Sequence, residues 1–213
     1  MEGLGPGVRA VIEMWAGNAP FMAWNLTLAL VPVLVGALLF RRGRTPTALW
    51  WLGLAAFLAF LPNAPYVLSD VVHLADDVRA TRSDTVVVAG VLPQYAAFFL
   101  AGLLAYVVAL GDLTRWLARR GWDRVRVVAV ELAVHAVCAV GVYLGRIPRF
   151  NSWDLVTRPD AVAATAADHL SDRYPLALVL ATFVVLVVAT VVLRALLDDL
   201  RVAVQRLRVR LAA

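Results

Sequence analysis

Residues 48–61 read ALWWLGLAAFLAFL, then comes Pro62-Asn63-Ala64-Pro65-Tyr66, and residues 67–74 continue as VLSDVVHL. The opening run of 14 residues rises about 21 Å as a helix, short of the roughly 30 Å hydrocarbon core of a bilayer. The remaining depth falls to a stretch with two prolines and an asparagine. Each proline lacks an N–H and leaves a carbonyl without its donor, which lipid cannot replace. Non-helical backbone at that depth persists only where protein or a polar cavity surrounds it. The interruption therefore marks a candidate site, followed at once by Asp70 and His73.

Composition makes the membrane setting general to the chain. Of its 213 residues, 62% are hydrophobic and 16% charged, against about 45–50% and 25% in soluble domains. No linker, charge block or internal repeat divides it, so one domain is expected. The single cysteine, Cys138, lies in an apolar run and leaves the redox compartment open. All 20 basic residues are arginine and the net charge is +5. Nucleic acid is excluded as a partner, because these arginines flank the apolar runs.

Five spans are expected, at residues 21–40, about 47–68, 86–110, about 125–144 and 175–197. The first is too long for the apolar core of a cleavable signal and ends in Arg41-Arg42, so it reads as an anchor. Pro93 inside the third predicts a kink or tilt. The first connection carries Arg41, Arg42 and Arg44, the third Arg115, Arg119, Arg120 and Arg124, and the tail Arg201, Arg206, Arg208 and Arg210. The second and fourth connections balance arginine with aspartate. The positive-inside rule then places the amino end outside and the carboxyl end in the cytoplasm. Trp50, Trp51, Trp116 and Trp122 border the inner face, and Trp15, Trp24 and Trp153 lie near the outer one. Thr157-Arg158-Pro159-Asp160 predicts a capped start for a short outer-face helix over 161–170. The arginine-rich tail is expected to lie on anionic inner-leaflet lipid. The fold class is an all-α, polytopic transmembrane bundle with its second helix broken at Pro62 and Pro65.

Two polar clusters fall at the same membrane face. One holds Asn63, Tyr66, Asp70, His73 and Asp76. The other holds Arg146, Arg149, Asn151, Ser152, Trp153 and Asp154, directly after the fourth span. They are expected to meet in one outer pocket lined by the second, third and fourth spans. These strings, Leu61-Pro62-Asn63-Ala64-Pro65-Tyr66 with Asp70 and His73-Leu74, then Tyr143-Leu144-Gly145-Arg146 and Arg149-Phe150-Asn151-Ser152-Trp153-Asp154, resemble the domain-of-unknown-function family thirteen sixty-one of small prokaryotic membrane proteins. The resemblance runs from the first span to the fifth. It implies an integral place in the plasma (cytoplasmic) membrane of a prokaryote, and lends no catalytic residue.

Three kinds of chemistry are compatible with these residues. Asp70 and His73, three apart on a helix, present a carboxylate and an imidazole to a divalent metal, with Asp76, Asp154 or His169 to complete the set. The plainer alternative pairs Asp70 with Arg146 or Arg149. Those arginines also suit an anion, such as an anionic lipid head or a lipid-linked phosphate, unless they serve only to tie Asp70 and Asp154 together. Glu131 and His135, four apart near the middle of the fourth span, read as a proton relay or as a mutually satisfied pair with Gln94 or the carbonyls near Pro93. Asn63 has a structural reading: its amide replaces the donors that the prolines remove. Asn25-Leu26-Thr27 matches a glycosylation sequon but lies within the first span and is set aside. The expected roles are a binding or assembly component, an outer-face enzyme on a lipid-linked or phosphorylated substrate, or a small transporter completed by homo-oligomerisation. No resident cofactor is expected beyond a divalent metal.

Overall fold

The computed structural model describes residues 5–41 and 46–212. Arg42 and Arg44 of the first connection lie outside the described residues, as do the side chain of Arg210 in the tail and all of Ala213. The chain forms α1 (Pro6–Gly36), closed by a π turn (Ala37–Arg41), then α2 (Ala48–Phe60), α3 (Asn63–Tyr66), a 3₁₀ turn (Val67–Asp70) and α4 (Val71–Ala80). After α5 (Asp84–Val86) and a π turn (Val87–Val91) come α6 (Leu92–Arg119), α7 (Arg124–Arg146), α8 (Asp154–Thr157), α9 (Pro159–Leu170) and α10 (Arg173–Ala212). No strand occurs among the described residues.

Five helices are long and apolar enough to cross a membrane: Gly7–Arg41, Ala48–Ala80, Asp84–Arg119, Arg124–Arg146 and Arg173–Val209. They are the five expected spans, each lengthened by polar turns that hydropathy alone does not register. The largest extension precedes Phe21, where α1 already runs from Pro6. α6 is the central helix and packs on α1, α3, α7 and α10. α10 has 40 residues and so a length of about 60 Å, twice the hydrocarbon core. Its arginine-bearing end is a continuation of the span rather than a separate surface segment.

The interruption in the second span is a bend at Leu61 and Pro62, with right-handed helical backbone on both sides (Leu61 φ −56°, ψ −37°; Pro62 φ −60°, ψ −21°). Hydrogen bonds are lost there, rather than helical dihedrals. Ala64 N turns to Leu61 O at 3.2 Å, which strands the carbonyl of Phe60. Asn63 Nδ2 fills that gap, donating to Phe60 O at 2.9 Å and to Ser152 Oγ at 2.9 Å. In α6 the proline is handled differently. Pro93 stands at the second position of the helix, directly after the π turn, whose wider coil keeps the ring off the preceding carbonyls.

Small residues let the bend be enclosed by its neighbours. A Cβ at Gly102 of α6 would meet Ala64 O at 2.7 Å and collide with Val67. A Cβ at Gly141 of α7 would meet Pro62 Cβ at 2.7 Å, and one at Gly145 would meet Tyr66 Cε2 at 3.0 Å. Close packing of this kind holds helices together in lipid, where burial of apolar surface supplies little drive. The end of the bundle carrying this bend and the 147–172 connection is the loop end, and the opposite one is the arginine end. At the arginine end Phe40 packs edge-on against Phe57 (centroids 5.1 Å), and Trp50 stacks on Trp116 (5.1 Å).

α9 starts with Pro159 at its first position and Asp160 in its first turn, as the sequence suggests. Thr157 does not cap it, however. Its hydroxyl donates back to Trp153 O at 3.2 Å.

Candidate functional site

A cavity of about 600 Å³ opens at the loop end, with Asn63, Tyr66, His73, Arg146, Arg149 and Asn151 in its wall. Both sequence strings thus contribute to one space. The helices that enclose it are not all the expected ones. α1 supplies Trp24, Asn25 and Leu28, whereas α6 supplies nothing and lies behind the bend. Position along α6 explains this: its Gly102 is pressed against Val67 and Ala64, so that face is closed by packing.

Asp70 is 2% exposed. Asn25 Nδ2 donates to its Oδ2 at 2.9 Å and Arg146 Nη1 to its Oδ1 at 3.2 Å, and His73 Nε2 stands 3.7 Å from Oδ1. The carboxylate therefore ties α1 and α7 to the bent helix. His73 is half exposed and rests against the Phe21 ring at 5.4 Å. Asp76 pairs with Arg79 at 3.2 Å, and Tyr143 OH and His169 Nδ1 lie 2.8 Å apart, so neither Asp76 nor His169 joins Asp70 and His73. No group of three or more His, Cys, Asp or Glu arranged for a metal occurs among the described residues.

Asn25, set aside as a sequon, is a member of this site. Asn18 and Asn25 are seven apart, two turns on one face of α1. Asn18 Nδ2 donates to Asp77 Oδ2 at 2.7 Å, and Tyr95 OH donates to the same oxygen at 2.9 Å. Amides recurring at that spacing inside an apolar run were the available signal, since lipid offers them no partner.

Arg149 is the unusual residue of the cavity. Its φ of 63° is the only positive value at a non-glycine position among the described residues. That reversal lets Phe150 N close onto Leu144 O at 3.1 Å. Arg149 is exposed, and among the described residues its guanidinium has neither a hydrogen bond nor an ion pair. The expected tie to Asp154 is absent, because Asp154 is spent within its own loop. It accepts from Asn151 N at 2.7 Å and from Arg158 Nη2 at 2.8 Å, and it lies outside the cavity wall, as does the half-exposed Trp153.

The Asn151 amide, with Arg158 beside it, holds the Asp154 carboxyl below its ordinary value. A group lowered on folding stabilises the fold above its unfolded pKa of about 3.9 and loses that contribution as pH falls through the folded value. The 149–158 loop is thus expected to stay closed near neutrality and to loosen only in strong acid. Pepsin should spare it at about pH 4.5 and cut at Phe150, Trp153 or Leu155 at about pH 2. Equal cutting of this loop at both values would contradict the assignment.

Glu131 and His135 are joined to partners that sequence spacing did not indicate. Arg194 Nη1 of α10 donates to Glu131 Oε1 at 2.7 Å, His135 Nε2 lies 3.7 Å from the same oxygen, and His135 Nδ1 and Tyr106 OH are 2.8 Å apart. Gln94 is elsewhere, donating to Trp15 O at 3.2 Å. Arg194 lies inside the apolar run at 175–197, where hydropathy averages conceal one charge.

No curated protein and no solved structure matches the chain. Residues 24–188 match the model of the family described as Protein of unknown function (DUF1361). That interval takes in the first span from Trp24, the bend, the loop-end cavity and the first 16 residues of α10. The chain belongs to this family, in agreement with the two strings at residues 61–74 and 143–154.

Proposed function

We propose that this multi-pass membrane protein is a binding or assembly component whose loop-end cavity receives an anionic head group, carried by an anionic lipid or a lipid-linked phosphate. Its membrane is the cytoplasmic membrane of a prokaryote, with the amino end outside, the carboxyl end inside and the cavity at the outer leaflet. The arginine asymmetry of the connections supports that orientation. The observation that carries the binding reading is Arg149, a cation without a partner among the described residues, held in left-handed backbone at the wall of a 600 Å³ cavity. A non-glycine residue in that conformation stores about 1 kcal/mol or more of strain, which points to use of its side chain. Arg146, half committed to Asp70, adds a second set of donors, and Trp24 and Tyr66 give the wall an amphipathic rim of the kind found at head-group depth. Asp70, buried with both oxygens engaged, serves as scaffold.

Native mass spectrometry of the purified protein with added phosphatidylglycerol tests this. Arg149→Ala should weaken lipid retention about tenfold, the worth of one charge-assisted contact. Arg206→Gln, on the exposed end of α10, should not. Arg149→Gly separates binding from stability: it should relieve strain and raise stability by about 1 kcal/mol while losing lipid. Equal retention by wild type and both Arg149 variants would refute the proposal.

An outer-face enzyme acting on a lipid-linked or phosphorylated substrate is the second reading. It is supported by His73, which lines the cavity with Asp70 behind it.

A further inference from the structure

A second cavity, of about 350 Å³, lies at the opposite end of the bundle between α1, α6 and α10. Its wall contains Arg41, Arg115, Arg194 and Arg201 and a single acid, Asp198. Four arginines from three spans meet here; Arg194 and Arg201 are seven apart on α10, whereas Arg41 and Arg115 are distant from them and from each other in sequence.

Each arginine is positioned by a carboxylate through one nitrogen. Arg41 Nε and Arg115 Nη2 both donate to Asp112, each at 2.7 Å. Asp112 is 2% exposed and does not form part of the wall. Arg194 Nη1 donates to Glu131, and Arg201 Nη1 to Asp198, both at 2.7 Å. Glu131, like Asp112, is outside the wall, so these two acids stand behind their arginines and, apart from Asp198, the charge the cavity presents is guanidinium. A guanidinium carries five N–H donors, so each retains several. Arg194 Nη2 is buried and has no hydrogen-bond partner among the described residues.

The geometry points to a binding site for a phosphate group in this cavity. Forked donors from several arginines match the oxygens of a phosphate mono- or diester. Val107, Val108 and Leu197 complete the wall with apolar surface, which suits a phosphate bearing an acyl chain. Basic pockets between spans at head-group depth bind such lipids by the same physics. On the orientation proposed above, this site faces the inner leaflet and is independent of the loop-end cavity.

Thermal unfolding of the detergent-solubilised protein tests the site, with inorganic phosphate in one arm and phosphatidylglycerol in the other. The protein carries Arg149→Ala throughout, so that the loop-end cavity is weakened about tenfold and the response that depends on Arg115 and Arg201 reports this second site alone; failure of one proposal thus leaves the other standing. A ligand that binds only the folded form raises the midpoint as its concentration grows. Arg115→Gln and Arg201→Gln should each weaken that response about tenfold in apparent affinity. Arg206→Gln, outside the wall, should leave it unchanged. Arg201 is largely exposed and paired with an exposed acid, so its variant retains the fold even if that of Arg115 does not. A response to phosphate alone assigns a soluble anion, to phosphatidylglycerol alone a lipid head group, and to both a general phosphate site. No response in either arm, or an equal response in Arg201→Gln, would overturn the inference.

Discussion

Gly102→Val is expected to cost about 3 kcal/mol of stability, at the upper end of what overpacking a filled interior produces. The helix-forming part of the side chain is not the difficulty, since replacing glycine inside a helix is mildly favourable by itself. The difficulty is that even a methyl at this position would stand 2.7 Å from the Ala64 carbonyl oxygen and collide with Val67. A backbone oxygen has no rotamer to adopt, so α6 and the bent helix must separate. Separation would uncover the bend where Phe60 O depends on the Asn63 amide. Val67→Ala in the Gly102→Val background relieves the side-chain collision but leaves the carbonyl, and so should restore only part of the loss. Equilibrium unfolding in mixed detergent measures both variants as a double-mutant cycle. A Gly102→Val protein as stable as wild type would mean that α6 is not pressed against the bend.

Asp70→Ala should destabilise by about 3 kcal/mol, the lower end for removing one partner of a buried ion pair. The lower end applies because Arg146 is 26% exposed and recovers some hydration. The loss has two parts: an arginine without its counter-ion, and the Asn25 amide without its acceptor inside an apolar helix. Asp70→Asn keeps acceptor geometry without charge and should cost less. The double variant Asp70→Ala, Arg146→Ala should cost less than the sum of the single changes, because the unpaired charge is gone. Additive losses would show that the pair is not coupled. Thermal unfolding with the loop-end lipid absent is the appropriate measurement, since bound ligand would mask part of the change.

Much of the candidate site was legible because lipid is a severe solvent. Pro62, Asn63 and Pro65 inside an apolar run require enclosure, and the second string, at residues 146–154, is the other polar segment at that face. What could not be read was which helices enclose the bend. Gly102, Gly141 and Gly145 are ordinary residues of apolar runs until Ala64, Pro62 and Tyr66 are laid against them. Asn25 was legible in principle, as an amide with no water to satisfy it. Its partner was not, because Asp70 lies 45 residues further along the chain. Arg149 was visible as a cation, yet its backbone conformation and its freedom from Asp154 follow from how the loop closes.

The amino-acid order alone determined five membrane-crossing helices, the interruption in the second, the short helix near residue 160 and the family. Each of these follows from local properties: apolar length against bilayer thickness, the missing N–H of proline, and a proline at a helix start. Tertiary structure decided the partners of the buried charges, the sequence having offered only Arg146 or Arg149 for Asp70. Asp112 gathers Arg41 and Arg115, Glu131 takes Arg194, and Asp70 takes Arg146 and Asn25. Of these, only Asp112 and Arg115 are sequence neighbours. A charge removed from water takes whichever complementary group packing brings within about 3 Å, and that choice depends on how whole helices align, which no local stretch of sequence encodes.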